Sequence, residues 1–338
     1  MKAPHFWAPG GAALPRLALR PLTLPWRAAA WLRRATANPH DPGVPVICVG
    51  NLVMGGAGKT PTVRMLADWF RAHGLRPGVL SRGYGGGLSR RGATLVDASR
   101  HSAAEVGDEA LLHAAHGPTV VAADRRRGAE LLARHADVIV MDDGHQNPAL
   151  VKALSIIVVD TAYGFGNGAV FPAGPLRESV ATGLGRANAV IAIGGGSIGE
   201  RLQRGPLPVL RGDLIPDRAA EVLAGRKVYA FCGIARPGKF RDTLRGIGAE
   251  IAGHRDFPDH HPFRKTEIEA VLKAAAAEKA TPVTTAKDAV RLPPDQRAKV
   301  TVVEVALRLD QPESLEALLS PLLALARPSG GADAAQDG

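Results

Sequence analysis

The run Gly55-Gly56-Ala57-Gly58-Lys59-Thr60 comes after the apolar stretch Val44-Pro45-Val46-Ile47-Cys48-Val49-Gly50. That order reads as a buried strand, a glycine loop and a helix opening at Thr60, the arrangement that cradles a nucleotide phosphate. Glycines let backbone N–H groups turn inward around an anion, and the helix aims its positive end at the same charge. In such a loop Lys59 reaches the β- and γ-phosphates and the Thr60 hydroxyl binds Mg²⁺. The candidate nucleotide contacts are Val53, Met54, Gly55, Gly56, Ala57, Gly58, Lys59 and Thr60. Val53 departs from the full G-x-x-x-x-G-K-[ST] pattern, which wants glycine there, and the loop is closer to G-G-x-G-K-T.

The chain around this loop alternates strand-like and helix-like stretches, which predicts an α/β fold with a mostly parallel sheet of the P-loop NTPase type. After the first strand (44–49), strands are expected at 77–80, 93–96, 119–122, 137–141, 154–159 and 189–193, with helices at 106–116 and 124–136. The pattern weakens from about 195 to 225, where a linker is expected, and a second, smaller α/β domain follows. Its strands are expected near 227–232, 250–253, 281–285 and 300–306, and its helices near 237–247, 264–279 and 312–326. The expected organisation is an N-terminal basic and apolar segment over 1–40, the phosphate-loop domain over 41–205, the second domain with its linker over 206–327, and a disordered tail over 328–338.

The formal charge of +10 points to an anionic partner: nucleic acid, a membrane surface or an anionic substrate. No long Lys/Arg block is interleaved with aromatics, so a nucleic-acid partner is not expected. Residues 12–34 mix Leu, Trp and Arg with Pro15, Pro21 and Pro25. The apolar run is too short to span a bilayer, and the mixture suits a segment lying in a membrane interface; a helix packed on the domain with an Arg-rich outer face is the other reading. The two cysteines, Cys48 and Cys232, each sit near the end of an apolar run, which argues against a disulfide or a metal site and for a reducing compartment.

Several further clusters carry chemistry. Val138–Met141 is an apolar strand ending in Asp142 and Asp143, where a phosphate-loop protein keeps the carboxylates that organise Mg²⁺. Asp108 and Glu109 open the next helix as an acidic cap, as an acceptor for a hydroxyl proton, or as a further Mg²⁺ ligand. His260 and His261, after Asp259, are a surface loop, a metal site lacking a third ligand, or a proton-transfer aid across a cleft. Arg177, in Gly174–Glu178, is shaped for phosphate. Arg82 lies in a second glycine-rich loop, Ser81–Gly86, that either grips substrate or simply turns the chain.

The ordered set of these segments resembles one family, the tetraacyldisaccharide 4′-kinases. The matching pieces are Val49–Leu52 into Gly55–Pro61, Ser81–Gly86, Val106–Glu109, Asp142-Asp143-Gly144, Gly166-Asn167-Gly168, Pro172–Glu178, Phe231–Pro237, Phe257–Phe263 and Thr284–Asp288, over roughly residues 14–325. The resemblance implies transfer of the ATP γ-phosphate to the 4′-hydroxyl of tetraacyldisaccharide 1-phosphate, giving lipid IVA in lipid A biosynthesis. It also implies Mg²⁺, two α/β domains that close around the site, and work at the cytoplasmic face of the inner membrane; a monomer is expected. By motif, Asp108 is the catalytic carboxylate, aided by His260 or His261 and by Lys59; Thr60, Glu109, Asp142 and Asp143 serve the metal; Arg82, Asn167, Arg177 and Glu178 lie on the substrate side. The family usually reads Gln-His after the Asp-Asp-Gly stretch, whereas here Gln146 precedes Asn147. Two other classes stay open on the residues alone: a partner-switching NTPase, which Met54 in place of a lysine speaks against, and a non-catalytic nucleotide sensor.

Overall fold

A computed structural model describes residues 4–326; the expected disordered tail, 328–338, lies outside them. In chain order the elements are α1 (Ala13–Leu19), α2 (Thr23–Ala35), β1 (Val46–Gly50), α3 (Lys59–Ala72), β2 (Pro77–Ser81), β3 (Thr94–Leu95), α4 (Ala103–Val106), α5 (Asp108–Ala114), β4 (Thr119–Val121), α6 (Arg125–Leu132), β5 (Val138–Asp142), β6 (Leu154–Asp160), α7 (Val180–Leu184), β7 (Ala189–Ile193), α8 (Ser197–Gln203) and β8 (Val209–Pro216). They continue with β9 (Lys227–Cys232), α9 (Pro237–Gly246), β10 (Glu250–Asp256), α10 (Lys265–Ala277), β11 (Thr281–Thr285), α11 (Ala286–Ala289), α12 (Pro294–Arg297), β12 (Thr301–Val303), β13 (Val305–Leu309) and α13 (Pro312–Leu323).

Nine strands form the large sheet in the order β13-β8-β7-β6-β1-β5-β2-β4-β3, and four form a second sheet in the order β10-β9-β11-β12. β1, β5 and β6 are buried along their whole length, as central parallel strands covered on both faces must be. On one face Val63, Leu66 and Phe70 of α3 share a core with Ile47, Val49 and Val140. On the other, Ala129 and Leu132 of α6 pack on Leu80, Ile139 and Met141. Parallel pairing from β6 through β1, β5 and β2 to β4 sends the carboxyl ends of these strands to one edge. The phosphate loop, Asp142-Asp143, Ser81–Gly86 and Asp160 all leave the sheet there.

The domain boundaries differ from expectation. The 195–225 stretch is no linker: it holds α8 and β8, and β8 pairs in parallel with β7. The expected strand 300–306 is two strands in two sheets, β12 beside β11 and β13 antiparallel to β8. The switch falls at Glu304, whose carboxylate meets Arg64 of α3 at 2.6 Å and whose carbonyl accepts the Asp217 N–H. α13 then returns to the large core through Leu315, Leu319 and Leu322. The second domain is thus inserted into the first between β8 and β13. The apolar residues of 300–309 shift phase at Val302-Val303, but that shift does not say which sheet each half joins, because that choice is made by tertiary packing.

Candidate active site

The phosphate loop is fixed from beneath. Asn51 is fully buried; its side-chain amide donates to the Gly55 carbonyl at 3.0 Å and its side-chain oxygen accepts from Lys59 Nζ at 3.3 Å. Gly58 precedes α3 with φ +89°, a conformation that favours glycine; a Cβ there would also press on the Ile193 Cδ1 methyl at 2.4 Å. The chain before the loop is strapped by the 175–177 segment: Met54 N–H donates to Pro175 O at 2.8 Å and Arg177 N–H to Leu52 O at 2.8 Å. The Met54 N–H is thus paired with backbone, and Val53 is buried in a bridge to Leu176.

Asp143 sits at the end of β5 with φ +52°, in a region a non-glycine residue rarely occupies. Arg177 forks its carboxylate with two bonds of 2.9 Å, and Lys59 Nζ lies 3.6 Å from Oδ1. Burial works against its ionisation, but the Lys59 and Arg177 charges outweigh that and hold the carboxyl below its ordinary range. Asp142 points the other way: Oδ2 is 3.3 Å from His113 Nε2, while the buried Oδ1 has no hydrogen-bond partner. No group of three or more His, Cys, Asp or Glu side chains among the described residues is arranged to hold a metal unaided.

The loop after Asp143 is held in part by Lys152, which the sequence reading missed. Lys152 buries its amine and donates to the carbonyls of Gly144 and His145 at 2.8 and 3.1 Å; burial lowers its pKa. His145 is locked between Ser155 Oγ and Gly183 O, both at 2.9 Å, and burial takes it down to about 4. It is a neutral structural side chain. Gln146 bridges Asn51 O and Glu178 Oε1, each at 3.1 Å. Glu178 is buried and saturated by Arg186 at 2.7 and 2.8 Å. Asn167 is likewise spent on Phe6 O and Ala173 O. Glu178 and Asn167 shape the wall; neither offers a free group to a substrate. Arg82 is exposed.

The second domain brings the remaining groups. Asp108, at the start of α5, accepts from His260 Nδ1 at 2.9 Å and lies 3.3 Å from Arg291 Nε. His260 has φ +58°. Lys287 Nζ is 3.4 Å from its Nε2, a contact that suits the tautomer in which Nδ1–H donates to Asp108 and Nε2 accepts. Burial opposes ionisation of Asp108, but the His260 hydrogen bond and the Arg291 charge outweigh it, and its pKa is lowered. Glu109 faces Lys287 at 3.6 Å. His261 is not part of this cluster: it bonds Glu267 at 2.8 Å and stacks on Phe257 within its own domain. Arg291 also fell outside the sequence reading. Its buried guanidinium binds Asp288, Gly233 O and His261 O, so it builds the turn that presents His260. At the other end of the cleft Arg236 donates to Gly56 O at 3.0 Å and pairs with Asp160 at 2.8 Å.

A family model described as tetraacyldisaccharide-1-P 4′-kinase matches residues 15–324. The chain belongs to the tetraacyldisaccharide 4′-kinase family. It is 53% identical to the tetraacyldisaccharide 4′-kinase of Rhodospirillum centenum over 329 residues, covering 96% of this chain and 97% of that one. The Rhodospirillum rubrum kinase is 47% identical over 333 residues, with 96% and 98% covered. Among solved structures, LpxK from Aquifex aeolicus in complex with ATP superposes with a TM-score of 0.72 at 26% identity, covering 91% of this chain and 99% of that one. As a member of the tetraacyldisaccharide 4′-kinase family, the enzyme phosphorylates the 4′-hydroxyl of tetraacyldisaccharide 1-phosphate in lipid A biosynthesis. No described helix is long and apolar enough to cross a membrane.

Proposed function

We propose that ATP and the lipid acceptor meet in the cleft between the two domains, and that the Asp108–His260 pair is the proton acceptor. The observation that carries this reading is the 2.9 Å bond joining a carboxylate of the large domain to a histidine of the second. The loop N–H groups and Lys59 hold the triphosphate. The acceptor oxygen attacks the γ-phosphorus, the bond to the β,γ-bridging oxygen breaks, ADP leaves, and the hydroxyl proton passes to the Asp108–His260 pair. Asp108, kept ionised by its neighbours, is ready to accept; Arg291 and Lys287 hold the pair in register.

The donor set near the loop fits Mg²⁺, a hard cation that takes one or two carboxylates and otherwise phosphate and water oxygens. Asp142 Oδ1 is a buried acceptor lacking a partner, and with the Thr60 hydroxyl and Glu109 it would hold the ion. Mg²⁺ supplies charge neutralisation on the β- and γ-phosphates. Asp143 serves instead as an anchor, ordered by Arg177 and neutralising Lys59.

The N-terminal helices suit contact with a bilayer surface, at the cytoplasmic face of the inner membrane. Leu14, Leu17, Leu22, Leu24, Trp31 and Leu32 are exposed beside arginines. Trp26 Nε1 donates to Arg177 O at 2.8 Å, which ties this surface to the substrate side of the cleft.

Labelled γ-phosphate from ATP should appear on tetraacyldisaccharide 1-phosphate in detergent micelles with Mg²⁺, and Lys59→Ala should abolish it. Label released only as inorganic phosphate would contradict this reading of the cleft.

A further inference from the structure

The five arginines of α1 to α2 divide into two sets. Arg33 donates to Gln146 O, and Arg34 lies 3.6 Å from Glu178. Arg16, Arg20 and Arg27 instead line a pocket of about 170 Å³ between the helices and the 168–173 loop, with Thr23 among them. None of the three guanidinium groups pairs with a described residue, and residues 1–40 contain no Asp or Glu to neutralise them. Three unpaired cations around one pocket repel one another, an arrangement that an anion between them relieves.

The pocket is built, not merely a charged face. Thr23 is buried and its hydroxyl donates to Arg20 O at 2.7 Å. The opposite wall is held by Trp26, whose ring lies 4.8 Å from that of Phe171, and by Trp7, whose indole N–H donates to Pro172 O. The same loop runs on to Arg177, which forks Asp143 beside Lys59. Leu17, Leu22 and Leu24, close to the arginines along the chain, are exposed. Cations in a pocket, exposed leucines on the same helices and a packed path to the cleft fit one ligand: a phosphate monoester carried on a lipid.

We propose that Arg16, Arg20 and Arg27 bind the 1-phosphate of the acceptor, so that the enzyme reads its substrate at the end opposite the reacting hydroxyl. A phosphate monoester carries about −1.5 to −2 charges at neutral pH, and guanidinium forks match its oxygens better than ammonium groups do. The leucines lie where the acyl chains leave the sugar. The inference rests on the acceptor being tetraacyldisaccharide 1-phosphate.

The test compares two acceptors, the 1-phosphate and its 1-dephospho analogue, in neutral detergent micelles with the full chain. Wild type should lose roughly 10–100-fold in kcat/KM when the 1-phosphate is absent, the size of a lost charge-assisted contact, mainly through KM. In the Arg16→Ala/Arg20→Ala/Arg27→Ala variant the ratio between the two acceptors should fall close to one. Arg20→Gln alone, a milder change, should lower the ratio part-way. A ratio unchanged from wild type, or equal losses on both acceptors, would place the 1-phosphate elsewhere and overturn the proposal. So would a defect seen only on vesicles containing phosphatidylglycerol and absent in micelles, since the pocket would then hold a bilayer headgroup. Failure of wild type to phosphorylate either acceptor would contradict the reaction itself rather than the pocket.

Discussion

The two walls of the cleft are held in different ways. The phosphate loop and Asp143 rest on fully buried strands and are cross-tied by Asn51, Gln146, Lys152 and Arg177. The second domain reaches the first largely through charges: His260 and Arg291 on Asp108, Lys287 on Glu109, Arg236 and Lys239 on Asp160. Val290, packed on the α5 cluster, adds an apolar contact. Buried hydrogen-bonded loops cost much to disturb; of the inter-domain contacts only Arg291 on Asp108 is buried on both sides, and the other, part-exposed pairs contribute little each and are screened by salt. The glycine-loop wall is the more firmly held, and under the proposed reading the wall that carries His260 is the one that shifts when substrates arrive or leave.

Mutations should separate the walls. Removing Lys59, proposed to hold the transferred phosphate, is expected to cost about 10²–10³-fold or more in kcat, measured with labelled ATP. Asp108→Asn should lower kcat by about 10²–10⁴-fold, the range for loss of proton transfer, while nucleotide affinity by titration stays near wild type. Lys152→Met keeps the length of the side chain but strips two carbonyls of their donor. A misplaced Asp142-Asp143 loop should cost about 10²-fold in rate, together with a lower melting temperature. Arg236→Ala is expected to change kcat/KM only several-fold, consistent with the small worth of part-exposed pairs, and to blunt the salt dependence seen in wild type.

Acid should act on the same contacts. Asp108, Asp143 and Asp160 all have lowered pKa values, with burial opposed and outweighed by neighbouring cations and hydrogen bonds. A depressed carboxylate contributes stability that is full above the unfolded value of about 3.9 and is lost as pH falls through the folded value. Melting temperature should therefore fall as pH drops below about 4. Asp160→Asn should flatten that acid slope, because asparagine has no proton to take up.

The sequence was most legible where chemistry is local. Gly58-Lys59-Thr60 needs its glycine for the positive φ, and Asp142-Asp143 ends a strand buried along its whole length. It was least legible where a role is assigned by a partner far along the chain. His260 and His261 are neighbours in sequence, yet one faces Asp108, 152 positions away, and the other Glu267, six positions away. Lys152 and Arg291 look like ordinary surface cations until the fold buries them against carbonyls and carboxylates. The return of β13 and α13 to the first domain is the same kind of event, set by an available sheet edge beside β8 and not by local pattern.

The central claim is that Asp108 and His260 act as one unit across the cleft. A double-mutant cycle on kcat, using Asp108→Asn, His260→Gln and the pair, tests it most directly. The account predicts strong non-additivity, with the double variant little slower than the worse single one. Losses that multiply would show that the two side chains act independently and that the bond between them carries no part of the proton transfer.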